Sequence, residues 1–232
     1  MSGLPTEGTG VLSAVKQKLP EFPGFGVQYD PKLKPFFVSS VLEELRRIAS
    51  QPIGKKLLAD IAAARPRSRT APKNANEAAK AIHFSKGINV VMVPTSMELT
   101  QSGYKMAWTG RGMEKAMQPS TAASHNVKDC PFHSVGGSCA EALDITAAGN
   151  GTGTVSIMKF TNAQIMTSKG EATAPFIVLA HELIHSLHHV TGTRRDTGEE
   201  DWTTGIGLYT GEPMSENAFR AAFGMKLRES YA

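Results

Sequence analysis

The sequence predicts an α+β fold, a small mixed sheet with an edge strand lying over one buried helix. Three observations lead there. The stretch from Ala174 to Gly192 is apolar enough to be buried, yet it carries four histidines. Two runs rich in β-branched and apolar residues, Gly87 to Pro94 and Thr154 to Phe160, read as strands. Ahead of the first run lie two segments with apolar residues at helical spacing.

Taken in order, residues 1–35 hold Pro5, Pro20, Pro23, Pro31 and Pro35 and open on a stretch rich in Ser, Thr, Gly and Pro. They read as a flexible leader with little regular structure, and 36–232 as the folded domain. From Phe36 to Ser50, apolar residues at Val38, Val41, Leu42, Leu45 and Ile48 predict an amphipathic helix. A second helix is expected from Pro52 to Ala64, with Ile53, Leu57, Leu58 and Ile61 inward. The basic run Arg65-Pro-Arg67-Ser-Arg69 ends it, and a short helix near Glu77 to Ile82 follows. After the strand at 87–94, residues 96–143 predict loops, with one strand near Lys105 to Trp108. The glycine-rich stretch Ala148 to Thr154 lacks the Lys-Ser/Thr of a phosphate loop and reads as a turn. The strand after it, placed just before the buried helix, is expected to be the edge strand, open to pairing by an extended chain. Pro175 suits a first helical position, where its missing N–H has no partner to lose. Gly192 suits a left-handed cap at the other end. Ser215 is a good N-cap for a last helix from Glu216 to about Phe223.

Composition narrows the function classes. The formal net charge is +4, with the basic excess in the N-terminal third. No aromatic residues interleave with the basic run, so nucleic-acid binding is not expected. No run of about 20 apolar residues is present, so no membrane span is expected. The N-terminus lacks the basic-then-apolar layout of a signal peptide. Cys130 and Cys139 form no disulfide framework and suit a reducing working compartment. With His125 and His133 nearby they read as ordinary thiols rather than a second metal site.

The buried helix carries the chemistry. His181-Glu182-Leu183-Ile184-His185 is an H-E-x-x-H. Four helical residues turn through about 400°, so His181 and His185 lie one above the other on one face. That face offers two imidazole nitrogens to one zinc ion. Glu182, about 100° round, can act as general base on a water. Zinc held by three protein ligands keeps a fourth position and brings a bound water's pKa to about 7.

A third ligand must come from elsewhere. His188 lies about 10.5 Å along the helix axis from His181, too far to share one ion, and is expected behind the site, with His189 exposed. Carboxylates of later elements are the candidates: Glu199, Glu200, Glu212 and Glu216.

These blocks carry a resemblance. A-H-E-L-I-H-S-L-H-H-V-T-G, then E-E-x-x-T-x-G, then S-E-N-A-F-R and a closing R-x-x-Y resemble the NleD-type family of type III secreted effector zinc metallopeptidases. The H-E-L-I-H and E-E-x-x-T-x-G blocks are also similar to those of clostridial neurotoxin light chains. The resemblance covers residues 174–232. It implies a zincin-like metallopeptidase domain at 36–232, with 1–35 as a secretion signal. It implies Glu200 as third zinc ligand beside His181 and His185, with Glu199 behind a ligand histidine. It implies Arg228 and Tyr231 as the pair that stabilises the oxyanion, with Glu182 as base. It further implies an endopeptidase injected by a bacterium into the host cell cytoplasm, passed by the type III secretion machinery or a chaperone, and acting as a monomer on a host protein such as a mitogen-activated signalling kinase. The competing readings are a metal-binding module that holds a host target uncut and a housekeeping bacterial metallopeptidase.

Overall fold

The structure, a computed structural model, describes residues 15–29, 31, 35–68, 86–94, 98–99, 105–108, 113–115, 138–161, 165–166 and 172–230. Its main sheet has five strands: β1 (Val15–Lys18), β2 (Gly24–Tyr29), β3 (Ile88–Pro94), β8 (Ser156–Phe160) and β7 (Cys139–Ala142), in that spatial order. β2, β3 and β8 run parallel, while β1 and β7 pair antiparallel at the two ends. Between them in sequence come β4 (Glu98–Leu99), β5 (Lys105–Trp108) and β6 (Met113–Lys115), a separate antiparallel sheet, and later the pair β9 (Ile165–Met166) and β10 (Ala172–Thr173).

The helices are α1 (Phe37–Ala49), α2 (Pro52–Ala63), α3 (Ile145–Gly149), α4 (Pro175–Thr191), α5 (Glu199–Thr204) and α6 (Glu216–Ala222). α1 buries Val41, Leu45 and Ile48 of the predicted stripe, with Val38 and Leu42 partly buried, and adds Phe37. α2 buries Leu57, Leu58 and Ile61 and starts on Pro52. The two helices touch closely at Gly54, where an added Cβ would lie 1.9 Å from the Ile48 carbonyl oxygen. Together with α4 they cover one face of the sheet.

Strand alternation sorts the core. Phe25 and Val27, Val90 and Met92, and Met158 and Phe160 point to the helical layer and pack with Ile177, Leu183 and Ile184 of α4. Ile88, Val91 and Val155 form a smaller cluster on the other face.

Three expectations change here. Residues 15–29, read as part of a flexible leader, form β1 and β2, with Phe25 and Val27 in the core. Pro20 and Pro23 lie in the tight connection between those strands and do not interrupt either one. The strand expected at the edge, β8, is internal, between β3 and β7; among the described residues the end strands are β1 and β7, the latter within a stretch expected to be loop. His189, expected exposed, is buried with its Nδ1 3.0 Å from Ser156 Oγ. The helix expected near Glu77 lies outside the described residues, as do Cys130, His125 and His133. Among the described residues no helix is long and apolar enough to cross a membrane.

Because β2 is central to the helical layer's floor, truncation through residue 30 is expected to abolish the cooperative thermal unfolding transition. Phe25→Ala, at a site 1% exposed, is expected to cost about 3–5 kcal/mol in chemical denaturation. A truncated chain that keeps the wild-type transition would show that β1 and β2 are dispensable.

Candidate metal centre

α4 is fixed at both ends by local chemistry. Pro175 occupies its first turn, and Gly192 caps it at φ 77°, a left-handed conformation. A Cβ at Gly192 would also lie 2.7 Å from the backbone of Gly151, so the cap must be glycine on two counts. Between these ends the apolar residues enter the core, while His181 and His185 are 6% and 7% exposed.

His181 and His185 meet a carboxylate from α5. The two Nε2 atoms stand 3.1 Å apart, and each lies 3.2 Å from Glu200 Oε2. The far ring nitrogens are also engaged. His181 Nδ1 is 2.9 Å from Glu216 Oε2, and His185 Nδ1 is 3.0 Å from Glu199 Oε1. An ionised carboxylate only accepts, so each Nδ1 carries its hydrogen and donates it. With Nδ1–H fixed, the neutral rings turn their Nε2 lone pairs toward one another and toward a carboxylate oxygen. Three electron-rich atoms at that spacing repel unless a cation or protons lie among them. Ligands about 2.0–2.1 Å from a tetrahedral zinc stand about 3.3–3.4 Å from one another, so the triangle fits such an ion. The carboxylates behind the imidazoles hold them in the tautomer that a metal requires.

A second group, His185 Nδ1, His188 Nδ1 and Glu199 Oε1, lies alongside. Its separations of 3.0 and 2.6 Å to Glu199 Oε1 are those of two N–H donors on one oxygen, and we read it as hydrogen bonding.

The electrostatics follow from burial against pairing. Burial disfavours the charged form of His181, but hydrogen bonds to Glu200 and Glu216 outweigh it and raise the ring to about 9. The same contest, with Glu199 and Glu200 as partners, raises His185 to about 10. Burial pushes up Glu199, Glu200 and Glu216, yet the imidazoles hold all three below the usual carboxylate range, Glu216 at about 2. Glu182 goes the other way: burial raises it to about 7, against the pull of His181 and His185. Its Oε2 accepts the backbone N–H of Ala140 on β7, at 2.8 Å. A carboxyl group near neutrality can both take and return a proton.

Other expected residues fall elsewhere. Glu212 accepts from Trp202 Nε1 at 3.1 Å and is not among the donors. Arg228 Nη1 donates to Glu216 Oε2 at 3.0 Å, on the Nδ1 side of His181. Tyr231 lies outside the described residues. Sequence reading missed Arg220, whose Nε donates to Glu216 Oε1 at 2.6 Å. The signal was present, since Glu216 and Arg220 are four residues apart on one helix. Asn217 also went unnoticed. Its side chain accepts from Arg228 N at 2.7 Å and donates to Arg228 O at 2.9 Å, which carries the C-terminal segment back to α6.

A helix that presents H-E-x-x-H to a converging carboxylate defines the class of metallopeptidases. The family Peptidase_M91, described as effector protein, matches residues 28–207, and the chain belongs to it. The matched span takes in His181, Glu182, His185, Glu199 and Glu200 and stops before Glu216. Compared with curated proteins, the chain has no match. Among solved structures, the catalytic domain of Clostridium botulinum neurotoxin serotype F is similar at TM-score 0.42 and 16% identity, over 77% of this chain and 43% of that one. The botulinum neurotoxin type D light chain is similar at TM-score 0.43 and 14% identity, over 91% and 64%. A doubly mutated LHn fragment of botulinum neurotoxin type D reaches TM-score 0.48 at 12% identity, over 91% and 33%. The chain thus spans about a third to two thirds of the length of these chains.

The carboxylates of Glu200, Glu216 and Glu199 favour the protonated forms of His181 and His185, so a metal competes with protons for the same nitrogens. Metal affinity is therefore expected to rise with pH through neutrality. Calorimetric titration of zinc at pH 7 in buffers of different ionisation enthalpy should report proton release. Uptake without proton release would mean that the rings are already neutral.

Proposed function

We propose that this peptidase is a zinc-dependent endopeptidase effector that cleaves a host protein. The observation that carries the reading is the triangle of His181, His185 and Glu200, with Glu182 next to it in sequence and held at neutral-range acidity. His181, His185 and Glu200 would hold the metal. Zinc, when bound, supplies Lewis acidity that brings a coordinated water's pKa to about 7. The chain's own residues do the rest. Glu182 takes the proton of the attacking water and returns it to the departing amine nitrogen. The Ala140 N–H holds Glu182 at the foot of β7, and an extended substrate pairing by its main chain along that strand would lie beside this contact. Glu199 and Glu216 keep the two imidazoles in register. Arg228 is engaged by Glu216, which favours a role in holding that carboxylate over a direct role at the attacked carbonyl. Arg220, on the other oxygen of Glu216, adds a second clamp.

The resemblance to type III effectors supports delivery into the host cytoplasm by bacterial secretion, and a signalling kinase of the mitogen-activated type as the first substrate to test. Purified chain incubated with such kinases should yield discrete fragments, with activity lost to a chelator and restored by zinc. Glu182→Ala should keep the metal and lower kcat by about 100- to 10,000-fold. Intact binding of a host target by the wild type, with no cleavage of any candidate, would favour a holding module instead.

The ligand assignment is tested separately. Glu199→Gln, Glu200→Gln and Glu216→Gln are compared for zinc affinity by chelator competition. Glu200→Gln should weaken binding most. The other two, behind the imidazoles, should lose about 10- to 100-fold. If Glu199→Gln ranks first, the third ligand is one residue earlier than we place it.

A further inference from the structure

The third donor depends on a helix that cannot stand by itself. α5 has six residues, Glu199–Thr204, and starts from Gly198 at φ 71° without a side-chain cap. A helix of that length is marginal without tertiary support. Yet its second residue, Glu200, must place one oxygen 3.2 Å from both Nε2 atoms. α5 packs against α4, the 3-10 turn at 207–209 and α6, and its contact with α4 can set both its height and its rotation.

His188 has the contacts to do so. It is 4% exposed and makes two different contacts with α5 through one ring. Its edge donates Nδ1–H to Glu199 Oε1 at 2.6 Å. Its face stacks on Trp202, with centroids 3.8 Å apart and planes 5° from parallel. Glu199 and Trp202 are three residues apart, so they flank one side of α5. An edge contact and a face contact, at right angles to one another, leave α5 little freedom to roll or slide. The outer parts of the contact are braced in turn. The Arg195 backbone N–H donates to Glu199 Oε2 at 2.9 Å, its guanidinium lies 4.0 Å from the Trp202 ring centroid, and Trp202 Nε1 donates to Glu212. His188 also shares Glu199 Oε1 with His185 Nδ1, so the same contact steadies the second imidazole.

We infer that His188 is a positioning residue for the third metal donor: it docks α5 on α4 through Glu199 and Trp202 and thereby sets Glu200 against His181 and His185. This rests on the metal-centre reading above and goes beyond it, because His188 touches neither the metal donors' Nε2 atoms nor a substrate.

The test separates the two contacts and the two hypotheses. His188→Phe keeps the stacking face and loses the donor. His188→Asn keeps an N–H donor at the position of Nδ1 and loses the face. His188→Ala loses both. Each variant is titrated with zinc by chelator competition and with cobalt(II), whose d–d absorption reports the number and geometry of donors. The expected result is a 10- to 100-fold loss of affinity for His188→Ala, smaller losses for the other two, and a changed cobalt spectrum. The decisive arm is the Glu200→Gln background, where His188→Ala should lose little more, because the donor it positions is already impaired. If His188→Ala does not fold, the same comparison is made with His188→Phe and His188→Asn. Wild-type affinity in the variants, or an equal loss with and without Glu200, overturns the inference. Failure of the wild type itself to take up zinc overturns the metal-centre reading and this inference with it.

Discussion

The structure around the site depends on the way two imidazoles are turned. A ring held at Nδ1 by a carboxylate has one direction left for its other nitrogen, and in His181 and His185 those directions converge. Glu216 comes from α6 and Glu199 from α5, so two later helices must reach α4 for the rings to be set at all. α4 in turn is placed by the sheet and by α1 and α2, whose buried stripes fill the space beneath it. A single requirement, that two lone pairs meet, therefore ties the last quarter of the chain to the first.

The charge balance of the cluster follows the same requirement. Glu199, Glu200 and Glu216 all stay ionised despite burial, because hydrogen bonds from the rings outweigh desolvation. Arg220 and Arg228 compensate Glu216 from outside. Glu182 lies apart from that balance. It is raised, not lowered, and it accepts a hydrogen bond from the backbone amide of Ala140 on β7. The residue proposed to move protons is thus the one that the surrounding ion pairs leave near neutrality.

Much of this was legible where the signal is local. Pro175 and Gly192 bound α4 in the sequence and in the structure, and the stripes of α1 and α2 were readable from spacing alone. Pairing across distance was not. Pro20 and Pro23 read as breakers, although each lies outside a strand and only shapes the connection between β1 and β2. β7 was hidden because Cys-Ala-Glu-Ala has none of the β-branched residues that mark a strand, and its identity comes from pairing with β8. His189 was expected in solvent because nothing near it in sequence announces Ser156, which meets it from the sheet. The choice between Glu199 and Glu200 came from resemblance, since adjacent acids on an unpaired segment look alike. Their separate partners arise from the rotation of α5, which composition does not encode.

The sheet's parallel pairing also bears on how the molecule assembles. Met92 lies opposite Val27, and Val90 opposite Ser156, partners far apart in the chain. Such contacts must close long loops before they return any stability, and they slow folding. His181 and His185, by contrast, are neighbours as soon as a turn of helix exists. During refolding the chain can therefore offer a chelating pair before it has the floor that buries it. Metal present from the start meets a flexible ligand with unfolded-state affinity, while metal added afterwards meets a finished set of donors, so the order of mixing becomes a variable of the protein itself.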